Sequence, residues 1–202
     1  MYILGLTELR KIECDSYIFP DDVFKIPELD EFSDVKTIEK FAYDKLLPYA
    51  GKDVSVYING KLSTELLAVL KAADKLQINL TIGHRNNYDG QYMFQKVRWE
   101  SKEIKTNIDY KYSLCEGRHY VPVEESIYSK IPEDKIFDFE WMEVVAKAKL
   151  EKHANQCIAL YITGLPSLYV SVLNVAHKLG ISVICMHYDI DTDEYFPQYL
   201  DK

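Results

Sequence analysis

One stretch of sequence occurs twice in this chain, and the repeat limits its possible folds more than any other feature. Residues 54–97 align with residues 158–200 once Lys61 is treated as a one-residue insertion. The identical pairs include polar as well as apolar residues, namely Tyr57/Tyr161, Gly60/Gly164, His84/His187, Tyr92/Tyr195 and Gln95/Gln198. The period of about 103–105 residues is too long for a solenoid and indicates a duplicated small domain. We therefore predict two domains, residues 1–101 and residues 102–202.

Each copy of the repeat has the pattern of a strand–helix–strand unit. Val54–Asn59 and Cys157–Thr163 are apolar runs without helical spacing, which is typical of buried strands. The next elements follow at equivalent places, with apolar helical spacing over 63–76 and 166–179 and further strands over 78–84 and 181–187. Because a helical crossover joins the two strands of each unit, we expect them to run parallel.

A further helix is predicted ahead of each unit, over Asp34–Leu47 and over Asp138–His153. In the second of these helices we expect one stripe to face the core, formed by Trp141, Val144, Val145 and Ala148. The predicted fold class is α/β, with two tandem three-layer domains around partly parallel sheets. We expect the copies to pack about a pseudo-twofold axis, as the subunits of a homodimer would.

Charge and cysteine content narrow the classes of partner. The net charge of −8 opposes non-specific binding of DNA or RNA, which depends on lysine and arginine contacts to phosphate. No apolar run reaches the roughly 18–20 residues of a membrane helix, so we expect no membrane partner. The four cysteines form no CxxC pair and have no metal-ligand spacing with the histidines. We expect reduced thiols in a cytoplasmic protein, with no metal and no cofactor.

Candidate ligand-binding residues follow from the predicted topology. Ligands of open α/β sheets bind at the carboxyl ends of the parallel strands, where a glycine lets a ligand approach the backbone closely. The start of the next helix adds N–H groups and the positive end of its dipole. The residues expected at this edge are Asn59, Gly60, Lys61, Ser63, Thr64 and Arg85 in the first copy and Thr163, Gly164 and Ser167 in the second. A strand–glycine–helix turn that serves geometry alone is the alternative.

His84 and His187 are the candidate catalytic residues, since each stands at the predicted end of a strand. A histidine there could bind a phosphate or act as a general acid or base near neutral pH. It could equally be a neutral residue whose hydrogen bond fixes the next turn. Gln95 and Gln198 are within reach of the same edge if the last strand folds back, and pairing within a hairpin is their alternative role.

The two predicted edges differ in charge. The first carries Lys61 and Arg85, whereas the second lacks the inserted lysine and has Tyr188 at the position of Arg85. We therefore expect the first edge to attract anions more strongly.

The repeated pattern resembles a known family. Tyr57–Ser63 with Leu80–His84, and Tyr161–Ser167 with Val183–His187, are similar to the small Rossmann-like CARF domains of CRISPR-associated accessory proteins and to the ring-nuclease-like proteins allied to them. The resemblance implies a Rossmann-like fold, a role in antiviral defence and a dimer that binds a cyclic oligoadenylate across its twofold axis. Some members of the family cleave the ring. A tandem duplication would supply both sides of that cleft in one chain.

Three functions remain open from the sequence, the third being hydrolysis of another phosphorylated metabolite. The first is binding of a small nucleotide, such as a cyclic oligonucleotide, in a cleft between the two halves, with or without slow phosphodiester cleavage. The second is a non-enzymatic interaction protein, a defence-system inhibitor or adaptor that uses an acidic, tyrosine-rich face. The partner is then a small anionic ligand or a protein, and the chain is a monomeric pseudo-dimer or a homodimer. Whether it is an enzyme is left open.

Overall fold

The chain divides into two compact units, Met1–Val97 and Arg98–Lys202. The structure, a computed structural model, describes residues 2–5, 22–23, 35–58, 63–86, 88–99, 107–116, 120–190 and 192–200. The boundary predicted between residues 101 and 102 lies in 100–106, outside the described residues. Arg98 is held by the second unit, since its backbone N–H donates to Asn174 Oδ1 over 2.7 Å and its guanidinium pairs with Glu143 over 3.2 Å.

The first unit is one five-stranded sheet with two α-helices. In chain order the elements are β1 (Tyr2–Gly5), β2 (Asp22–Val23), α1 (Val35–Leu46), β3 (Asp53–Ile58), α2 (Ser63–Lys75), β4 (Asn79–Arg85) and β5 (Tyr92–Lys96). The strand order is β2-β1-β3-β4-β5. The first four strands are parallel, and β5 runs antiparallel to β4.

The second unit has the same elements in the same spatial order. They are β6 (Tyr110–Cys115), β7 (Ser126–Tyr128), α3 (Phe139–Leu150), β8 (Cys157–Tyr161), α4 (Pro166–Lys178), β9 (Ser182–Asp189) and β10 (Glu194–Tyr199). The strand order is β7-β6-β8-β9-β10, with only β10 antiparallel to its neighbour. The register also repeats, because Gln95 lies opposite Ile82 and Gln198 lies opposite Cys185. The prediction of two partly parallel α/β sheets is confirmed.

The helices of each unit lie side by side, with α1 along α2 and α3 along α4. Both crossovers of a unit move in the same direction across the sheet, so right-handed connections bring both helices to one face. The described residues thus supply one helix layer for each sheet. A third layer and the pseudo-twofold arrangement of the two units stay predictions.

The predicted stripe of α3 is wrong at Val144 and Ala148, which are exposed, while Trp141 and Val145 are half-buried. The buried residues of this helix are Met142, Ala146 and Leu150, while Val144 is 62% exposed. The three buried residues recur every four positions, which places them on the side that packs along α4. The sequence pattern did not identify this buried face, because α3 carries apolar residues on more than one side.

The strands that precede each repeat were not predicted. β1 and β6 are each the second strand of their sheet, between a short edge strand and the first strand of the repeat. None of the helices that the structure describes is long and apolar enough to cross a membrane.

Candidate functional site at the carboxyl ends of the strands

The carboxyl edge of the first sheet is described in part. Asn59, Gly60 and Lys61 lie outside the described residues, and so does the side chain of Ser63. Thr64 is partly exposed in the first turn of α2. Ser63 and Thr64 begin α2 next to the predicted edge. Whether they contact a ligand stays a prediction.

Arg85 is a positively charged residue of this edge that the structure describes. It is the last residue of β4, it is half-buried, and its Nη2 lies 3.9 Å from the place that a Cβ on Gly90 would occupy. Its Nε is enclosed and has no hydrogen-bond partner within the part of the chain that the structure describes. A guanidinium placed in this way can receive an anion that approaches the end of the strand.

Thr163 ties the loop after β8 to the end of β6. Its hydroxyl donates to the carbonyl of Cys115 over 2.8 Å and accepts from the N–H of the same residue over 3.1 Å. The side chain is buried. These two hydrogen bonds favour a structural role for the hydroxyl, in which Thr163 fixes the loop that a ligand would meet.

Gly164 makes the turn from β8 into α4 with a φ of +99°. Side chains other than glycine rarely adopt this conformation, so the turn itself requires glycine. A Cβ at this position would lie 3.4 Å from the Cβ of Cys115 and 3.5 Å from Cδ1 of Leu168. The glycine therefore serves local geometry, and it also leaves the backbone open to close approach.

The start of α4 offers few hydrogen-bond donors. Pro166 has no N–H, and the N–H of Leu168 donates to the carbonyl of Leu165 over 3.1 Å. Ser167 is buried, and its carbonyl accepts from the hydroxyl of Ser171 over 2.9 Å. The predicted contribution of Ser167 to an anion site therefore rests on its backbone N–H rather than on an exposed hydroxyl.

His84 lies level with the last residue of β3, as the sequence predicts, but it is only 5% exposed. Its Nε2 donates to Oε1 of Gln95 over 2.8 Å. Burial lowers the pKa of His84 from 6.5 to about 4, and the hydrogen bond to Gln95 offsets only part of this effect.

His187 occupies the equivalent position in the second unit, opposite Phe196 as His84 is opposite Met93. It is 2% exposed, and burial lowers its pKa to about 4 against the opposing effect of a hydrogen bond with Gln198. Gln95 and Gln198 are buried as well. A neutral, enclosed imidazole is poorly suited to general acid–base work near pH 7. The geometry favours the alternative role, in which the hydrogen bond between His84 and Gln95 joins the last two strands of the first sheet and His187 is enclosed at the equivalent place in the second.

The second edge lacks the cation that Arg85 gives to the first. Tyr188 stands at the position of Arg85, and its hydroxyl donates to Oδ1 of Asp193 over 2.6 Å. This hydrogen bond raises the pKa of Tyr188, so the phenol stays neutral at physiological pH. Asp189 and Glu194 border the same turn. The sequence predicted the missing cation, but not this tyrosine–aspartate pair.

The described cysteines are buried, and the described residues form no cluster of potential metal ligands. Cys115, Cys157 and Cys185 are buried free thiols, and burial raises the pKa of Cys185. Cys14 lies outside the described residues. No group of three or more potential metal ligands was found within the described part of the chain.

Comparison with known proteins identifies the fold but not a close relative. No protein-family profile and no curated protein matches the chain. Solved structures do match, and one is an Acinetobacter baumannii Cap4 SAVED/CARF-domain containing receptor with the cyclic trinucleotide 3'3'3'-cAAA. It aligns over 98% of this chain with a TM-score of 0.55 and 12% identity. The chain has the SAVED/CARF fold.

A second SAVED/CARF receptor supports the same conclusion. The Cap4 receptor of Moraxella osloensis aligns over 98% of this chain with a TM-score of 0.54 and 14% identity. The chain spans about half the length of each receptor, since the alignments cover 49% of both. The predicted resemblance to CARF domains is therefore confirmed at the level of the SAVED/CARF fold.

Proposed function

We propose that this chain binds a small anionic nucleotide, of the cyclic oligonucleotide class, at the carboxyl ends of its parallel strands. The observation that carries the proposal is the match of nearly the whole chain to a receptor solved with a cyclic trinucleotide. The carboxyl edge is also the place where open α/β sheets bind ligands in general.

Arg85 is the residue to which we assign a phosphate contact. A guanidinium binds phosphate through charge-assisted hydrogen bonds, and Arg85 is the half-buried last residue of β4. Lys61 is the second candidate cation on this edge by its place in the sequence. A local pair of cations can attract an anion in spite of the net charge of −8.

The second unit would contact the ligand without a matching cation. The tight turn at Gly164 lets a ligand approach the backbone, and the neutral phenol of Tyr188 borders the equivalent edge. Such groups suit the ribose or base of a nucleotide better than its phosphate.

Binding without turnover is the form of the function that we propose. Phosphodiester cleavage by His84 and His187 would need exposed imidazoles that titrate near neutral pH, whereas both are buried with pKa values of about 4. Chromatography of the ligand after long incubation with the protein tests this point. We expect the cyclic ligand to be recovered intact, and linear products that disappear in a His84→Gln/His187→Gln variant would contradict it.

Calorimetric titration with cyclic di-, tri- and tetranucleotides tests the binding itself. We expect binding of at least one ligand, and we expect Arg85→Gln to weaken it about tenfold or more, since a charged hydrogen bond contributes about 1.5–3 kcal/mol. Lys75→Gln is the matched control, because Lys75 is exposed at the far end of α2. The absence of heat with every ligand would remove the proposal. It would favour an interaction protein that uses its exposed tyrosines, of which Tyr88 and Tyr120 are examples.

A further inference from the structure

The outer edge of β5 differs from the outer edge of β10, although the two strands are equivalent in the repeat. Each is the last strand of its sheet among the described strands. Along β4 and β5, Asn86 N–H donates to the carbonyl of Gln91 over 2.7 Å and Val97 N–H donates to that of Leu80 over 3.1 Å. Hydrogen-bonded and non-hydrogen-bonded pairs alternate in an antiparallel ladder. Phe94 therefore lies opposite Gly83 in a non-hydrogen-bonded pair, with its N–H and C=O pointing away from β4.

The second unit has a proline at this position. Pro197 lies opposite Met186, just as Phe94 lies opposite Gly83. Proline has no N–H, so the outer edge of β10 cannot donate there to an added strand. Proline on an edge strand is one of the ways in which proteins prevent pairing with another chain. The first unit lacks this protection at β5.

The side chains of β5 are also suited to a contact. Met93 is 39% exposed and Phe94 is 48% exposed, and consecutive residues of a strand point to opposite faces of the sheet. The edge thus presents an apolar side chain on each face, next to an outward-pointing backbone donor and acceptor. An edge of this kind is a template for another strand.

We propose that β5 pairs antiparallel with β5 of a second copy of this chain, about a twofold axis at Phe94. In this register each Phe94 N–H donates to the Phe94 carbonyl of the other copy. Tyr92 then faces Lys96 of the other copy, so each cation meets an aromatic ring rather than a second cation. Met93 faces Gln95. This register keeps the two Lys96 side chains apart, so the strand can pair with a copy of itself without facing like charges, which is the reason to commit to a second copy as the occupant.

The contact joins two sheets into one and closes on itself. An isologous contact uses the same surface on both partners and ends at a dimer, whereas a β5-to-β10 contact would continue into a filament. Pro197 disfavours the second arrangement. The inference does not depend on the ligand, because β5 pairs through its outer edge and not through the carboxyl end of the parallel strands.

Sedimentation equilibrium of the full chain without ligand tests this dimer. We expect twice the single-chain mass of 23.5 kDa for the wild type, and a single-chain mass for Phe94→Pro. The proline is compatible with the fold, because β10 carries proline at the equivalent position. Pro197→Ala is the matched control on the other edge, and we expect it to remain a dimer.

A second variant keeps the test decisive if Phe94→Pro fails to fold. Phe94→Lys retains the backbone N–H but places two like charges face to face on the twofold axis, and we expect it to sediment as a single chain. A wild type that sediments as a single chain would overturn the proposal. Circular dichroism shows which of the two Phe94 variants fold. A folded variant that still sediments as a dimer would also overturn the proposal.

Discussion

His187 makes the stability of the second unit depend on pH in a way that can be calculated from its burial. The folded state holds this ring neutral with a pKa of about 4, whereas the ordinary value in an unfolded chain is 6.5. Above pH 6.5 the ring is neutral in both states and has no effect on the pH dependence. As the pH falls below 6.5, the unfolded state takes up a proton that the folded state does not bind, so the folded state loses stability.

The size of the loss follows from the difference between the two pKa values. One pKa unit corresponds to about 1.4 kcal/mol, so a change from 6.5 to about 4 amounts to about 3 kcal/mol when the pH reaches 4. This is a large share of the about 5–15 kcal/mol that stabilises a typical domain. Replacement of His187 by glutamine, which does not titrate, should remove this part of the pH dependence.

Tryptophan fluorescence isolates the relevant unit. Both tryptophans of the chain, Trp99 and Trp141, belong to the second unit. Urea unfolding followed by fluorescence between pH 7 and pH 4 should show a steeper fall in the free energy of unfolding for the wild type than for His187→Gln. The carboxylates titrate in both proteins and so cancel in the comparison. Equal pH dependence in the two proteins would refute the argument from burial.

Two further predictions concern the loop after β8. Thr163→Val removes both hydrogen bonds to the backbone of Cys115 and should lower the free energy of unfolding by about 1–3 kcal/mol in the same urea assay. Thr163→Ser keeps the hydroxyl and should retain most of the wild-type stability. A Thr163→Val protein as stable as the wild type would contradict this role. Gly164→Ala places a side chain at a φ of +99° and should lower the free energy of unfolding by about 1–3 kcal/mol. The midpoint of thermal unfolding should fall accordingly, and an unchanged midpoint would contradict the requirement for glycine in this turn.

The repeat made the central elements of both units predictable. The predicted helix over 63–76 corresponds to α2 at Ser63–Lys75, and the predicted helix over 166–179 corresponds to α4 at Pro166–Lys178. These elements bury continuous apolar faces, so their periodicity is strong. β1, β2, β6 and β7 were not predicted, because short strands carry little periodicity of their own and their pairing depends on residues far along the chain.

The candidate site was predictable in position but not in chemistry. The sequence placed His84 and His187 at the ends of their strands. In the structure one residue of β4 follows His84 and two residues of β9 follow His187, but a strand position does not reveal whether a side chain is enclosed. Their burial against Gln95 and Gln198 depends on the antiparallel return of the last strand of each sheet. The difference in charge between Arg85 and Tyr188 could be predicted without knowledge of the packing, because the alignment of the two copies shows it directly.

Amide hydrogen exchange with a cyclic trinucleotide tests the central claim most directly, since it locates the ligand on the chain. We predict that the ligand slows exchange around Gly83–Gly90 and around Ile162–Leu168, where the parallel strands end. Slower exchange that is confined to the opposite ends of these strands, near Tyr49–Asp53 and His153–Cys157, would contradict the proposed site.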